Sequence, residues 1–178
     1  VTFAGNIGKA QSITTILEAC RKLKSYRNIH VILIGGGSEV KNIKNLIKKY
    51  GINNISIFGP YSSDLAYKIL KKSKASLLSL KKNVIFSMTI PNKFQTYLCA
   101  GKPILVSANG EVSKLTNINK VGLTSPAENF LKLSNNIIKL YKMSSKETKK
   151  FKYNCLKYYK NSFDINKQTK NLLNIFES

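Results

Sequence analysis

The sequence has few of the residues that build metal sites and disulfide frameworks. It contains one histidine and three cysteines among 178 residues. Cys20, Cys99 and Cys155 are widely spaced and odd in number, which predicts free thiols in a reducing cytoplasm rather than a disulfide framework. With one histidine and no pair of cysteines at ligand spacing, we expect no zinc site.

Long apolar runs are also missing. No run approaches the roughly 20 residues that a membrane-spanning helix needs. The first residues differ from a secretory signal, in which a basic stretch precedes an apolar core. The chain opens directly on a strand-like run, Val1 to Ala4, and this abrupt start favours a piece of a longer protein.

Acidic residues are scarce. Eight Asp and Glu stand against 30 Lys and Arg, which gives a formal net charge of +22. One interpretation is compositional bias on a solvated surface, since lysine, asparagine and isoleucine are all abundant. Two others are attraction to an anionic membrane face and attraction to a polyanion such as nucleic acid. A phosphate-bearing ligand agrees with all three interpretations.

The residues that are present predict one folded α/β domain. Hydrophobic residues make up 43% of the chain, enough for a full core at this length. Short apolar runs alternate with amphipathic helical patterns, which indicates a doubly wound, Rossmann-like parallel sheet. After the opening strand the runs are Val31–Ile34, Ile55–Phe58, 75–80 and 104–106. From Asn129 onward the pattern is helical only, and the last amphipathic helix spans Ile165 to Phe176.

Ligands of such a sheet bind beyond the carboxyl ends of the strands. Gly5-Asn6-Ile7-Gly8 follows the first strand, and its glycines allow backbone N–H groups to approach a phosphate. Lys9 adds a positive charge there. The alternative is a tight turn between strand and helix.

A second glycine loop, Gly35-Gly36-Gly37, follows the second strand. The next helix is predicted to be capped by Ser38 and to end at Gly51. Val40 replaces the third glycine of a dinucleotide-binding pattern, and no acidic residue follows to hold a ribose. NAD binding is therefore not expected.

The loop from Lys81 to Ile90 is long for a strand–helix connection and ends at Pro91, which suits the first turn of a helix. Asn92, Lys93 and the free N–H groups of Met88 and Thr89 are predicted to face a diphosphate. Gln95 lies off the core stripe and is placed to meet a ribose. The alternative is a capped helix with solvated side chains.

Two further features favour structural roles. His30 begins a strand, away from the ligand end. Tyr153, Tyr158 and Tyr159 alternate with lysines in the late helices, a pattern found in nucleic-acid binding but more often in an ordinary amphipathic helix.

Two stretches carry a family resemblance. Pro91-Asn92-Lys93-Phe94-Gln95-Thr96-Tyr97-Leu98-Cys99-Ala100-Gly101-Lys102-Pro103-Ile104 resembles the P-S-K-x-x-x-Y-x-A-x-G-K-P-I stretch of family-four retaining glycosyltransferases. Gly5-Asn6-Ile7-Gly8-Lys9-Ala10-Gln11 is similar to the G-N-x-G-x-A-Q loop of one branch, which works on O-antigen and capsule sugars and includes fucosaminyl transferases. The resemblance covers nearly the whole chain.

The resemblance implies the C-terminal half of a GT-B fold, whose active site lies between two Rossmann-like domains. Residues 1–160 would form the nucleotide-sugar-binding domain. Residues 161–178 would form a helix that crosses back to an N-terminal, acceptor-binding domain, which would be absent from these residues. The expected partners are a nucleotide-sugar donor and that domain, with peripheral contact to an anionic membrane and no nucleic acid.

The resemblance also implies roles for residues. Lys9 and Lys93 would stabilise the departing nucleoside diphosphate, with neither metal nor other cofactor. Gln95 would hold the ribose, the backbone near Phe58 and Gly59 the base, and the loop containing Gly36 the nucleotide. Glu111 would contact the sugar or cap a short helix. Two departures stand out: Ser87 and Gln95 replace the two usual glutamates, and Asn6 replaces the usual arginine.

The predicted function is therefore donor binding within a glycosyltransferase, with a UDP-sugar favoured, in the cytoplasm or at the inner face of the cell membrane. Two other classes stay open. A nucleic-acid-binding module would bind RNA with a steep salt dependence. A non-catalytic α/β domain for protein contacts would bind neither RNA nor nucleotide.

Overall fold

A six-stranded, all-parallel sheet forms the centre of the molecule. The structure, a computed structural model, describes residues 1–177, and of Asn171 only the backbone. The strand order is β3-β2-β1-β4-β5-β6. The strands are β1 (Thr2–Ala4), β2 (Val31–Ile34), β3 (Ile55–Phe58), β4 (Ser76–Ser79), β5 (Ile104–Ser107) and β6 (Gly122–Ser125).

Helices cover both faces of this sheet. A 3-10 turn at Lys9–Gln11 leads into the first of them. The helices are α1 (Ile13–Lys22), α2 (Val40–Lys49), α3 (Ser63–Lys72), α4 (Val84–Ser87), α5 (Asn92–Ala100), α6 (Glu111–Ile118), α7 (Phe130–Lys142), α8 (Ser145–Ser162) and α9 (Ile165–Phe176).

The core has two layers because successive strand residues point to opposite faces. Leu77 belongs to the layer under α1 and α7, where Ile16 and Leu133 are fully buried. Its neighbour Leu78 belongs to the layer under α5, with Phe94. The predicted doubly wound α/β fold is confirmed.

One strand, β6, and one helix, α4, escaped the sequence analysis, and α6 entered it only as the short helix in one of the two alternatives for Glu111. β6 consists of Gly-Leu-Thr-Ser and lies at the sheet edge, so it lacks the apolar run that marks an inner strand. Gly122 is required there because a Cβ atom would overlap the backbone of Ile104. α6 is short, with Val112 and Thr116 as its buried residues, so its apolar periodicity is weak.

Helix starts differ from prediction in two places. Ser38 does not cap α2: Glu39 precedes the helix, and the N–H of Glu39 donates to the carbonyl of Ile7. That hydrogen bond fixes the start of α2 by tertiary contact instead of by a local cap. In the long loop before Pro91, Asn83 accepts a hydrogen bond from the N–H of Ile85 and starts the short helix α4.

α8 ends at Ser162, and the predicted last helix is α9, whose start Asp164 caps by accepting a hydrogen bond from the N–H of Lys167. Large apolar side chains of α9 are exposed, namely Ile165, Leu172, Leu173 and Phe176. That exposure agrees with a helix whose packing partner lies outside residues 1–177, and the predicted crossing to another domain stays a prediction. Ser178, the last residue of that predicted part, lies outside the described residues.

The three cysteines are free thiols, as predicted: Cys20 and Cys155 are buried and Cys99 is partly buried. Across residues 1–177, every helix is too short or too polar to cross a membrane.

Candidate active site

A cleft of about 430 Å³ opens beyond the carboxyl ends of β1, β2 and β3, between α3 and α5. Its lining includes Gly5, Asn6, Gly36 and Lys93, which come from three separate segments that the sequence analysis had singled out. In an open parallel sheet, ligands bind at this edge, near the point where the strand order reverses. Here the reversal lies between β1 and β4.

Two glycine loops form one wall of the cleft. The N–H of Gly5 donates to the carbonyl of Ile34 at 2.9 Å, and the N–H of Ile7 donates to that of Gly36 at 2.7 Å. Gly35 has φ +146°, and a Cβ atom there would overlap the carbonyl of Gly5. The loops therefore pack backbone against backbone, which only glycine permits.

This packing corrects the role predicted for the first loop. The N–H groups of Gly5 and Ile7 are used between the loops, and that of Gly8 donates to Oε1 of Gln11 at 3.2 Å. These three amides are not available to a phosphate. Asn6 is exposed at the cleft, whereas Gly8 is buried.

Lys93 is the residue whose environment is most unusual. Its Nζ atom is buried and has no hydrogen-bond partner among the described residues. It lies 4.1 Å from the centre of the Phe3 ring, and burial lowers the pKa of the ammonium to about 8. A buried cation without an acceptor is costly, so such a group is a strong candidate for binding an anion.

Tyr97 ties the helix that carries Lys93 to the glycine loop. Its buried hydroxyl accepts a hydrogen bond from the N–H of Ala4 at 2.9 Å and donates one to the carbonyl of Ala4 at 3.1 Å. Burial raises the pKa of this phenol, so it stays protonated. Because Gly5 follows Ala4, the two hydrogen bonds set the position of Lys93 relative to the loop.

The cleft side of α5 is formed by Lys93, Thr96 and Tyr97. Their i, i+3, i+4 spacing places them on one helix face. Gln95, predicted to hold a ribose, is partly exposed and is not among the lining residues, so α5 does not bring it into the cleft with Lys93. Thr96 was missed, although its spacing from Lys93 was the available signal.

The loop before α5 also differs from prediction. The N–H of Met88 is not free: it donates to the carbonyl of Ile85 at 3.1 Å because Met88 ends α4. The hydroxyl of Ser87 donates to Val84, and that of Thr89 to Phe86. A Cβ atom at Gly110 would overlap the carbonyl of Ser87, so this loop packs on the start of α6.

The remaining predicted residues are not among those that line the cleft. Glu111 occupies the first turn of α6, where the helix dipole favours an acidic residue. Its Oε1 atom lies 3.7 Å from Nζ of Lys114. Phe58 and Gly59 are exposed at the end of β3, next to the lining residues Pro60 and Tyr61. Lys9 and Asn92 are exposed.

Other titratable groups are placed differently. Nε2 of His30 lies 2.9 Å from Oγ of Ser56 at the opposite, amino edge of the sheet, as its sequence position predicted. Burial, followed by repulsion from the N-terminal amine, lowers the pKa of His30. Within residues 1–177, no group of three or more His, Cys, Asp or Glu side chains is placed to hold a metal ion.

The family model for glycosyl transferases group 1 matches residues 1–158. The chain belongs to this family. One family relative is a putative colanic acid biosynthesis glycosyl transferase, WcaI, of Escherichia coli K12, which is 24% identical over 108 residues. That match covers 61% of this chain and 26% of the relative.

Solved glycosyltransferases share the fold. Anabaena Alr3699/HepE in complex with UDP superposes with a TM-score of 0.85 at 14% identity, over 99% of this chain and 48% of that one. A glycosyltransferase from Rickettsia africae gives 0.82 at 18% identity, over 99% and 46%. This group 1 chain therefore has the Rossmann-like fold of GT-B glycosyltransferases, and it spans less than half of either structure.

Proposed function

We propose that this chain is the C-terminal, donor-binding domain of a retaining glycosyltransferase. It binds a nucleotide diphosphate sugar, with a UDP-sugar favoured, and the sugar passes to a polysaccharide or lipid-linked acceptor in surface polysaccharide synthesis. The O-antigen and capsule branch is the favoured one within the family. The enzyme works in the cytoplasm, at or near the inner face of the cell membrane.

The buried ammonium of Lys93 is the observation that supports this proposal most. It lies at the carboxyl edge of the sheet beside Gly5, without an acceptor of its own among the described residues. A diphosphate oxygen would supply the missing acceptor. The UDP complexes of the similar Anabaena protein, and the colanic acid role named for the E. coli relative, agree with this chemistry.

The chemical role of the site follows from the charge that develops during transfer. The bond between the anomeric carbon and the diphosphate oxygen breaks, and negative charge grows on the leaving oxygen. A positioned ammonium in a desolvated cleft stabilises that charge without a bound metal. Lys93 would do so directly, and the exposed Lys9 would add to the positive field at the same edge.

Lys93→Ala tests the proposal. We expect the dissociation constant for UDP, measured by calorimetry, to rise by at least tenfold, or about 1.4 kcal/mol. Lys68→Ala is the matched control, because Lys68 is an exposed lysine on α3 and its loss changes net charge equally. An unchanged constant in Lys93→Ala, or an equal loss in both variants, would contradict the assignment.

A thermal-shift panel of UDP, GDP, UDP-sugars and a single-stranded RNA separates the classes of function. Stabilisation by a nucleotide diphosphate supports donor binding and identifies the base. Stabilisation by RNA alone would favour the nucleic-acid alternative. Because one half of the expected cleft lies outside this chain, we expect binding without sugar transfer, and measurable transfer by these 178 residues would contradict the two-domain proposal.

A further inference from the structure

A second charged surface lies at the amino edge of the sheet, opposite the cleft. Four lysines line a depression of about 190 Å³ where α3 and α5 end and α8 begins. A fifth, Lys71, stands in the last turn of α3 beside them. We call these five residues the lysine patch: Lys71, Lys74, Lys102, Lys149 and Lys152.

The charges of the lysine patch are not balanced within the molecule. In the described part of the chain, ion pairs join Arg21 to Glu18 and Lys114 to Glu111, and none includes a patch lysine. Partial burial lowers the pKa of Lys102, and repulsion from Lys152, Lys74 and Lys71 lowers it further. The patch therefore concentrates like charge closely enough for its members to oppose one another.

Helix dipoles account for only part of this arrangement. Lysines in the last turn of a helix, such as Lys71, are stabilised by the negative end of the dipole. Lys149 and Lys152 lie in the N-terminal half of α8, where the dipole offers cations no such stabilisation. Glu39, Asp64 and Glu111 all stand at helix starts on the cleft edge. At the amino edge Glu147 stands in the first turn of α8, but it accepts hydrogen bonds from Ser144 and forms no ion pair with a patch lysine in the described part of the chain.

The lysine patch continues along an exposed stripe of α8. Positions 149, 152, 153, 156, 157 and 160 are spaced by three or four residues and share one helix face. Tyr153 is 65% exposed and Leu156 40%, and Nζ of Lys157 lies 5.9 Å from the centre of the Tyr153 ring. Lysines interleaved with an exposed tyrosine and leucine are typical of helices that lie in a membrane interface.

We propose that the lysine patch and the exposed stripe of α8 bind the surface of a bilayer rich in anionic phospholipid. Lysine ammonium groups would meet lipid phosphates, and Tyr153 would enter the headgroup layer. Leu156 adds an exposed aliphatic side chain to the stripe, which suits the boundary between headgroups and acyl chains better than it suits RNA. No residue of the lysine patch lines the cleft. The inference therefore deepens the membrane location of the proposed function and does not depend on donor binding.

Vesicle flotation tests the proposal with the whole 178-residue chain. We expect binding to vesicles of phosphatidylcholine and phosphatidylglycerol, and none to phosphatidylcholine alone. Changing Lys74, Lys102, Lys149 and Lys152 to Gln should lower the partition coefficient at least tenfold. The control changes four exposed lysines elsewhere, Lys41, Lys44, Lys68 and Lys132, to Gln and carries the same net charge. A similar loss in both variants would overturn the proposal, because net charge alone would then explain binding.

A fluorescent reporter distinguishes a lipid surface from other polyanions. The chain contains no tryptophan, so Tyr153→Trp introduces a single indole into the stripe. We expect a blue shift of its emission with anionic vesicles and none with single-stranded RNA. An unshifted spectrum at saturating vesicles, or patch-dependent binding to RNA and not to vesicles, would reject the membrane assignment. UDP affinity should be unchanged in the four-lysine patch variant, which shows that it folds and separates this inference from donor binding.

Discussion

At the scale of the residue, Lys93 and Tyr97 decide what the cleft can do. The ammonium of Lys93 is desolvated and unpaired among the described groups, and the hydroxyl of Tyr97 holds its helix against the end of β1. Each role depends on partners far away in sequence, namely Phe3, Ala4 and Gly5. A buried charge without an acceptor is costly, and for this reason Lys93 strongly favours binding of an anion in the cleft.

The pKa of Lys93 gives nucleotide binding a defined pH dependence. Burial holds this pKa at about 8 in the free protein, and a bound diphosphate would raise it again. Affinity should therefore be greatest below pH 8 and fall as pH rises through 8, by up to about tenfold per unit, until the pKa of the complex is reached. Calorimetry in buffers of different ionisation enthalpy should detect proton uptake on binding above pH 8. Lys93→Ala should lose that uptake; if the variant retains it, another group is responsible.

At the scale of the element, the site depends on two loops whose backbones touch. Gly5 and Gly35 meet without side chains, and Gly37 packs against Ile7 in the same way. On the other side, Gly101 ends α5 with φ +65° and lies against Leu156 of α8. Within the stretch from Pro91 to Pro103, α5 is therefore fixed near its middle by Tyr97 and at its C-terminal end by Gly101, and it presents Lys93 and Thr96 to the cleft.

Replacing Gly35 by alanine should strongly destabilise the folded chain, because the new Cβ atom would overlap the Gly5 carbonyl and φ of this residue is +146°. We expect a loss of about 3 kcal/mol or more in the free energy of unfolding, from overlap and backbone strain together. Gly51→Ala is the control: φ is +54° and no atom lies within 4 Å of its added Cβ, so about 1 kcal/mol is expected. Urea unfolding measures both. Equal losses would show that the contact between the loops is unimportant.

At the scale of the whole molecule, the two edges of the sheet differ in chemistry. The carboxyl edge holds the cleft, the glycine loops and the helix-start carboxylates Glu39, Asp64 and Glu111, whereas the amino edge holds the lysine patch and Glu147. The net charge of +22 is thus spread unevenly even though lysines occur along most of the chain. Repulsion among these charges opposes the compact state and is screened by salt.

Added sodium chloride should therefore raise the melting temperature of the chain, as measured by scanning calorimetry. The rise should be smaller when Lys74, Lys102, Lys149 and Lys152 are changed to Gln, since these lysines lie closest together. The control set at Lys41, Lys44, Lys68 and Lys132 should reduce the rise less. A melting temperature that falls with salt would show that attractive pairs outweigh the repulsion.

The sequence by itself determined the fold class, because short apolar runs and 3.6-residue periodicity are local properties of the sequence. Most of the inner strands and helices show one or the other. It also led to the family and to Gly5, Asn6, Gly36 and Lys93, which the structure brings into one cleft. It missed β6 and α4, whose residues are too polar or too few to show a period. Which amides of the loops are free, and which face of α5 meets the cleft, depended on contacts between distant segments. For this reason the sequence analysis gave Met88 a free N–H group, expected Gln95 in the cleft and did not identify Thr96. Only tertiary packing could remove water from around Lys93 or bring the lysines of the patch together.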